Sequence, residues 1–167
     1  MGGENLIIYE ANETDFFSNG LGTLPDATSA LVTEERNGEF VLDVIYPQQG
    51  LRSELLTKNR IIKADAGHEL KDQRFVIKKV TPTMDSDGYI YLTVHAEHVS
   101  YITADLGVTP NLTLSGNATQ ALEQWKANLV GGHPDITVDS DIISTHETHL
   151  DITKATNARQ VLGGVEG

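Results

Sequence analysis

The chain has 167 residues, 39% of them hydrophobic and 22% charged, with no cysteine and a formal net charge of -12. That length supports one ordinary core or two small ones, and the composition is that of a folding chain rather than a disordered one. The missing thiols exclude disulfide frameworks, thiolate metal sites and cysteine nucleophiles, while the acidic surplus repels phosphate backbones and argues against specific nucleic-acid binding.

Strand patterns dominate residues 5–105. Leu6-Ile7-Ile8-Tyr9 is a short apolar run. Ala30–Glu34 leads through Glu35-Arg36-Asn37-Gly38 into Glu39–Tyr46. Asn37-Gly38 between two β-rich runs predicts a hairpin turn, because a tight turn needs positive φ at its central residues. Phe40, Leu42, Val44 and Tyr46 then share one face, and Pro47, with no N–H for the ladder, is expected to end the strand.

Arg60–Ala64 and Gln73–Val80 read as the next strands. Period two puts Phe75, Ile77 and the Lys79 stem on one side, with Val76, Lys78 and Val80 on the other. Asp85-Ser86-Asp87-Gly88 turns the chain into Tyr89–Glu97, where Ile90, Leu92, Val94 and Ala96 face one way and Tyr89, Tyr91, Thr93 and His95 the other. Five or six strands with turns at this spacing predict a barrel-like module of antiparallel strands, or a sandwich, closed on itself so that no edge is left open.

After Pro110 the period changes. Ala118, Ala121, Leu122, Trp125 and Leu129 recur at helical spacing, with Ser115 or Asn117 as N-cap and Gly131-Gly132 as the stop. Ile136-Thr137-Val138 predicts a short strand, and Thr156 is placed to cap a second helix over Asn157–Leu162, ended by Gly163-Gly164. The fold class is therefore mainly β with an α+β part: a β-barrel-like module over residues 1–106 and a small α/β module over 107–167. A helix followed by glycine and then by Gly167 reads as the cut end of a longer polypeptide.

Charge is unevenly spread. Residues 1–84 hold 9 bases and 13 acids, and residues 85–167 hold 3 bases and 11 acids. Eight of the twelve bases fall between Arg52 and Lys79, against four acids. The plain reading is a pair of solvated strand faces. The sharper one is half of a charge-complementary contact with a second copy or a partner, through Arg52, Lys58, Arg60, Lys63 and Lys71.

Reaction chemistry finds little support. His95 and His98 are three residues apart at the end of a strand, where the rings point to opposite sides and cannot share a metal. His146 and His149, in a polar stretch near Asp139, Asp141 and Asp151, are the one set that offers imidazole and carboxylate together, and they define an alternative reading as a peptidoglycan hydrolase. Asp85-Ser86-Asp87-Gly88 begins like a calcium loop but lacks its later ligands, so a turn is expected. Glu34, Glu35 and Glu39 crowd the hairpin without an apolar pocket to raise a pKa. Tyr89 and Tyr91 give a third reading, a cell-wall carbohydrate-binding module, against which stands the usual packing of strand aromatics under a neighbour. No catalytic residue, cofactor or metal site is expected. With no run of about 18 apolar residues, neither is membrane insertion.

The stretches Thr33–Pro47, Gln73–Ile77 and His95-Ala96-Glu97-His98-Val99-Ser100-Tyr101, with Asn157-Ala158-Arg159-Gln160-Val161-Leu162-Gly163-Gly164 near the end, resemble the prophage endopeptidase-tail family. These are tail-associated lysins or baseplate-hub proteins of phages that infect Gram-positive bacteria. The resemblance implies a structural, virion protein of the tail tip, made in the bacterial cytoplasm. It also implies a hub of β-barrel modules, with an α/β module at the periphery, that forms a homotrimeric ring closing the tail tube beside the distal tail and tape-measure proteins. DNA only passes through the lumen. In that family the cell-wall-degrading part, which contacts the host wall, lies further along the polypeptide, so these residues are expected to lack catalysis of their own.

Overall fold

The computed structural model describes residues 6–35, 38–68, 70–133, 136–138, 140, 142, 148–153 and 157–162. Asn37, Glu69, Asp139, Asp141, His146, Thr156 and Gly163-Gly164 lie outside them. The chain divides after Val99 into two compact units, the second running from Ser100 to Glu166.

The first unit holds β1 (Ile7–Tyr9), β2 (Gly22–Thr23), β3 (Ser29–Glu34), β4 (Phe40–Pro47), β5 (Ile61–Ala66), β6 (Leu70–Met84) and β7 (Ile90–His98). They form one antiparallel sheet in the order β2-β1-β5-β6-β7-β4-β3. Alternation decides what is buried. Ile8, Leu42, Val44, Tyr46, Ile62, Phe75, Ile77, Val94 and Ala96 are fully buried in a single cluster, with Ala30 and Val32 packed against it. Strand β3 comes against β5 although three strands separate them in the order. The sheet is therefore rolled around its core.

It is not closed. The predicted barrel fails on this point, since among the described residues the outer edges of β2 and β3 have no ladder partner. The second half of β6 also departs from period two. A bulge between Ile77 and Lys79 resets the register, so Val80 joins the core opposite Val94 while Lys79 faces His95. Pro47 ends β4 as expected and is its last paired residue, opposite Tyr91.

The turn that leaves β4 is held by a tyrosine. The buried Tyr46 hydroxyl donates to the Leu51 carbonyl at 2.6 Å and accepts from the Asp26 N–H at 3.4 Å, while the Asp26 carboxylate accepts from the Leu51 N–H at 2.6 Å. Gly50 is required beside the ring, because a Cβ there would lie 2.6 Å from Tyr46 Cε1. Burial pushes the Tyr46 phenol above its usual pKa.

The second unit is a two-stranded antiparallel pair, β8 (Leu112–Gly116) and β9 (Thr148–Ile152), with helices α1 (Ala118–Ala127) and α2 (Ala158–Val161). Asn117 caps α1 in a reciprocal box with Gln120. Trp125, 2% exposed, packs with Val108, Leu112, Leu114, Leu129 and Ala158, and its indole N–H donates to the Ala158 carbonyl at 2.9 Å. Asn157 caps α2 by accepting from the Gln160 N–H. The strand expected at Ile136–Val138 is absent. Ile136 and Val138 instead lie against the cluster as irregular chain, and the second strand forms at 148–152, where a polar stretch was expected.

Leu42→Asp should unfold the first unit, because a buried, unpaired carboxylate costs several kcal/mol against a total stability of about 5–15 kcal/mol. Tyr46→Phe keeps the packing but strands the Leu51 carbonyl, so urea unfolding should show a loss of about 1–3 kcal/mol.

Candidate interaction surfaces

The outward face of the rolled sheet is divided in two. Over β1, β5 and β6 it is covered by the chain's own loop, residues 10–21. The buried Tyr9 donates from its hydroxyl to the Ser18 carbonyl at 2.6 Å, and the Phe16 ring stands edge-on to Tyr9 with centroids 5.0 Å apart. The Arg74 guanidinium lies 4.5 Å from the Phe16 ring, and the Lys63 ammonium donates to the Phe16 carbonyl at 3.0 Å. Gly20 lets the loop return at φ 50°, where a Cβ would be 2.5 Å from the Ile8 carbonyl oxygen. Phe17, next to the clamped Phe16, stands wholly in solvent.

Over β7, β4 and β3 no such loop covers the outward face among the described residues. Leu31 is 60% exposed and Ile45 is exposed as well. The ladder sets Leu31 opposite Asp43, Asp43 opposite His95, and Ile45 opposite Thr93. His95 Nδ1 and Asp43 Oδ1 are 2.8 Å apart.

The five bases singled out in the sequence lie around β5, and four of them have partners within the chain. Arg52 donates to the Thr23 carbonyl at 2.9 Å, and Arg60 pairs with Glu10 at 3.3 Å and donates to the Leu55 carbonyl. Lys63 pairs with Asp72 at 3.2 Å and Lys71 with Asp65 at 2.9 Å. Lys58 is exposed. Burial alone lowers the Lys63 ammonium, but the Asp72 carboxylate and the Tyr9 hydroxyl outweigh it and leave its pKa above the usual value. The Asp72 N–H, and after it the Lys71 ammonium, hold the Asp65 carboxyl below its usual value.

A third surface lies at the β6–β7 turn. Asp85 Oδ1 accepts from the Asp87 N–H at 3.0 Å and from the Tyr89 N–H at 2.9 Å, and Gly88 closes the turn at φ 86°, so this segment is the expected hairpin turn. Between it and the end of β4 is a groove of about 430 Å³, lined by Pro47, Gln48, Gln49 and Gly88 to Tyr91.

The remaining candidates separate. His95 faces outward, while His98 stacks on Phe40 with centroids 4.2 Å apart and meets Phe75 edge-on, so the two rings are on opposite sides of β7. At the β3–β4 hairpin the Glu35 N–H donates to the Glu39 carbonyl and the Gly38 N–H to the Glu35 carbonyl. His149 is described only by its place in β9, opposite Ser115. Among the described residues no three histidine, aspartate or glutamate side chains are grouped to hold a metal, and no helix is long and apolar enough to cross a membrane. Beyond its place in the family resemblance nothing singled out Arg159, which is 8% exposed, stacks on Tyr101 at 3.7 Å and donates to Ser100 Oγ at 3.1 Å.

The sign of the Asp65 shift fixes a pH response. A depressed carboxyl stabilises the fold above its ordinary pKa, and that contribution is lost as pH falls through the folded value. In an NMR titration the Asp65 side-chain carboxyl carbon should therefore titrate with a midpoint below 3.8, and Lys71→Met should raise that midpoint.

A family model described as the prophage endopeptidase tail N-terminal domain matches residues 6–98, more than half of the chain and nearly all of the first unit. Comparison with curated proteins and with solved structures gives no match. The matched span begins just before β1 and ends with β7, so the rolled sheet is the part the family defines, and the chain belongs to the prophage endopeptidase tail N-terminal domain family.

Proposed function

We propose that this chain is a baseplate-hub component of a phage or prophage tail tip, a virion protein that self-associates into a ring closing the tail tube. Membership of the family gives it a structural role in a phage tail. The finer reading rests on one observation: among the described residues the rolled sheet leaves the edges of β2 and β3 without a ladder strand, that of β3 the longer and that of β2 holding the Thr23 carbonyl already taken by Arg52. An open edge presents a row of backbone donors and acceptors that another strand can complete. Two different edges on one body meet head to tail, and such a contact closes into a ring when the rotation allows it. A trimer in the full polypeptide, with the distal tail and tape-measure proteins as neighbours, fits this geometry.

The charge distribution supports the strand edges over the basic window as the contact. Arg52, Arg60, Lys63 and Lys71 are engaged within the chain, which leaves Lys58 as the base of that set with most freedom to meet a partner. The net charge of -12 keeps DNA from adhering as it passes. The reading assigns no catalysis to these residues. Any cell-wall cleavage would belong to a further part of the polypeptide.

Light scattering should give a mass that is a multiple of 18.2 kDa and rises with concentration. Leu31→Lys, an exposed change on the edge strand β3, should return the protein to 18.2 kDa without altering its unfolding curve. A strict monomer at every concentration, with no binding to neighbouring tail proteins, would overturn the ring. Purified cell walls should release no soluble fragments with or without divalent cations. Release that disappears in His149→Ala would install the hydrolase reading instead.

A further inference from the structure

The groove beside the β6–β7 turn has a composition that neither the core nor the strand edges require. Tyr89, in the turn just before β7, is 67% exposed, and Tyr91, on the outward face of β7, is half-buried. Aromatics of this kind are usually covered by a neighbouring element, and here none of the described residues buries Tyr89. The same groove is lined by Gln48 and Gln49, both exposed, for whose carboxamides no hydrogen bond is seen among the described residues.

The site is formed in advance. Pro47 is paired with Tyr91, the Gln48 N–H donates to the Ile90 carbonyl at 3.0 Å, and the Asp85 N–H donates to the Tyr89 carbonyl at 2.9 Å. The Asp85 carboxylate is occupied by two turn N–H groups. Binding would thus order little of the backbone.

We propose that this groove binds an uncharged saccharide chain. Tyrosine rings offer flat apolar faces to the C–H faces of sugar rings, and carboxamides both donate to and accept from hydroxyl and acetamido groups. Pockets for small ligands combine aromatic walls with a few polar groups in this way, and about 430 Å³ lies within their usual size range. No residue lining the groove is charged, and the chain as a whole is at -12, so an anionic wall polymer is disfavoured and a neutral glycan favoured. This assignment stands on the groove alone and does not depend on ring assembly.

The test is an NMR titration of the 167-residue chain with chitotetraose, cellotetraose and maltotetraose. At least one sugar should shift the amides of Gln48, Gln49 and Gly88–Tyr91 and leave the second unit unmoved. Tyr89→Ala should weaken that binding about tenfold, the loss expected of one stacked aromatic. Gln49→Ala should weaken it less. Both positions are exposed, so both variants should keep the wild-type unfolding curve. The proposal is overturned by absence of shifts with all three sugars at about 10 mM, a range that still detects millimolar affinity. It is equally overturned by binding that Tyr89→Ala leaves unchanged, or by a groove that responds to an apolar peptide and to no sugar.

Discussion

The constraint on which the first unit depends is that one face of a seven-stranded sheet has to leave water without a second sheet to cover it. No other layer of that size is available in about 100 residues, so the sheet covers itself. Residues from β1, β4, β5, β6 and β7 enter one cluster at zero or near-zero exposure, and β3 is brought round to β5. Strand twist supplies part of the rolling, and the bulge after Ile77 adds more by bending β6 where its apolar face would otherwise slip outward. The small Ala64 and Ala96 share this cluster with the large Phe75 and Tyr46.

This constraint explains what could be read from the chain directly. Phe40, Leu42, Val44 and Tyr46, or Ile90, Leu92, Val94 and Ala96, alternate because each strand has one dry side, and that pattern needs no knowledge of the partner strand. The bulge was invisible for the same reason. Val80 enters the core only because the ladder with β7 is reset, and a ladder is not a property of one strand. Closure was overestimated on similar grounds, since alternation reports a buried face and says nothing about whether the two end strands meet. In the second unit the elements are short and the pattern weak. Ile136 and Val138 are apolar because they cover Trp125's cluster, not because they pair.

The surfaces were legible in composition but not in state. Eight bases in 28 residues stood out, yet what neutralises Arg60 is Glu10, fifty residues away, and the carboxylates beside Lys63 and Lys71 lie across a hairpin. Proximity of this sort is created by the fold. The motif fragments carry a similar lesson. Ala96, His98 and Tyr101 are consecutive parts of one pattern, and Asn157, Ala158 and Arg159 of another. In the structure Ala96 fills the sheet core, His98 stacks on Phe40, Asn157 caps α2, Ala158 accepts the Trp125 indole and Arg159 lies on Tyr101. Each recognisable residue answers a packing need, which is why the resemblance reports a fold so well and a reaction so poorly.

The outward face then separates structure from use. Where loop 10–21 lies over β1, β5 and β6, the chain spends an ordered set of contacts on itself: Tyr9, Phe16, Lys63 and Arg74 are all satisfied internally. Over β7, β4 and β3 no comparable loop is present among the described residues, although Leu31, Ile45 and Tyr89 expose apolar surface there. A chain able to cover half of its sheet with the twelve residues of loop 10–21 does not leave the other half bare for want of means. The bare half is contiguous with the unpaired edge of β3 on one side and with the tyrosine groove on the other, so the exposed apolar surface, the open ladder and the neutral groove fall on one side of the same rolled sheet. Surface of that kind is costly to a protein that stays alone, through aggregation at the edge and loss of apolar burial, and it is useful to one that meets partners.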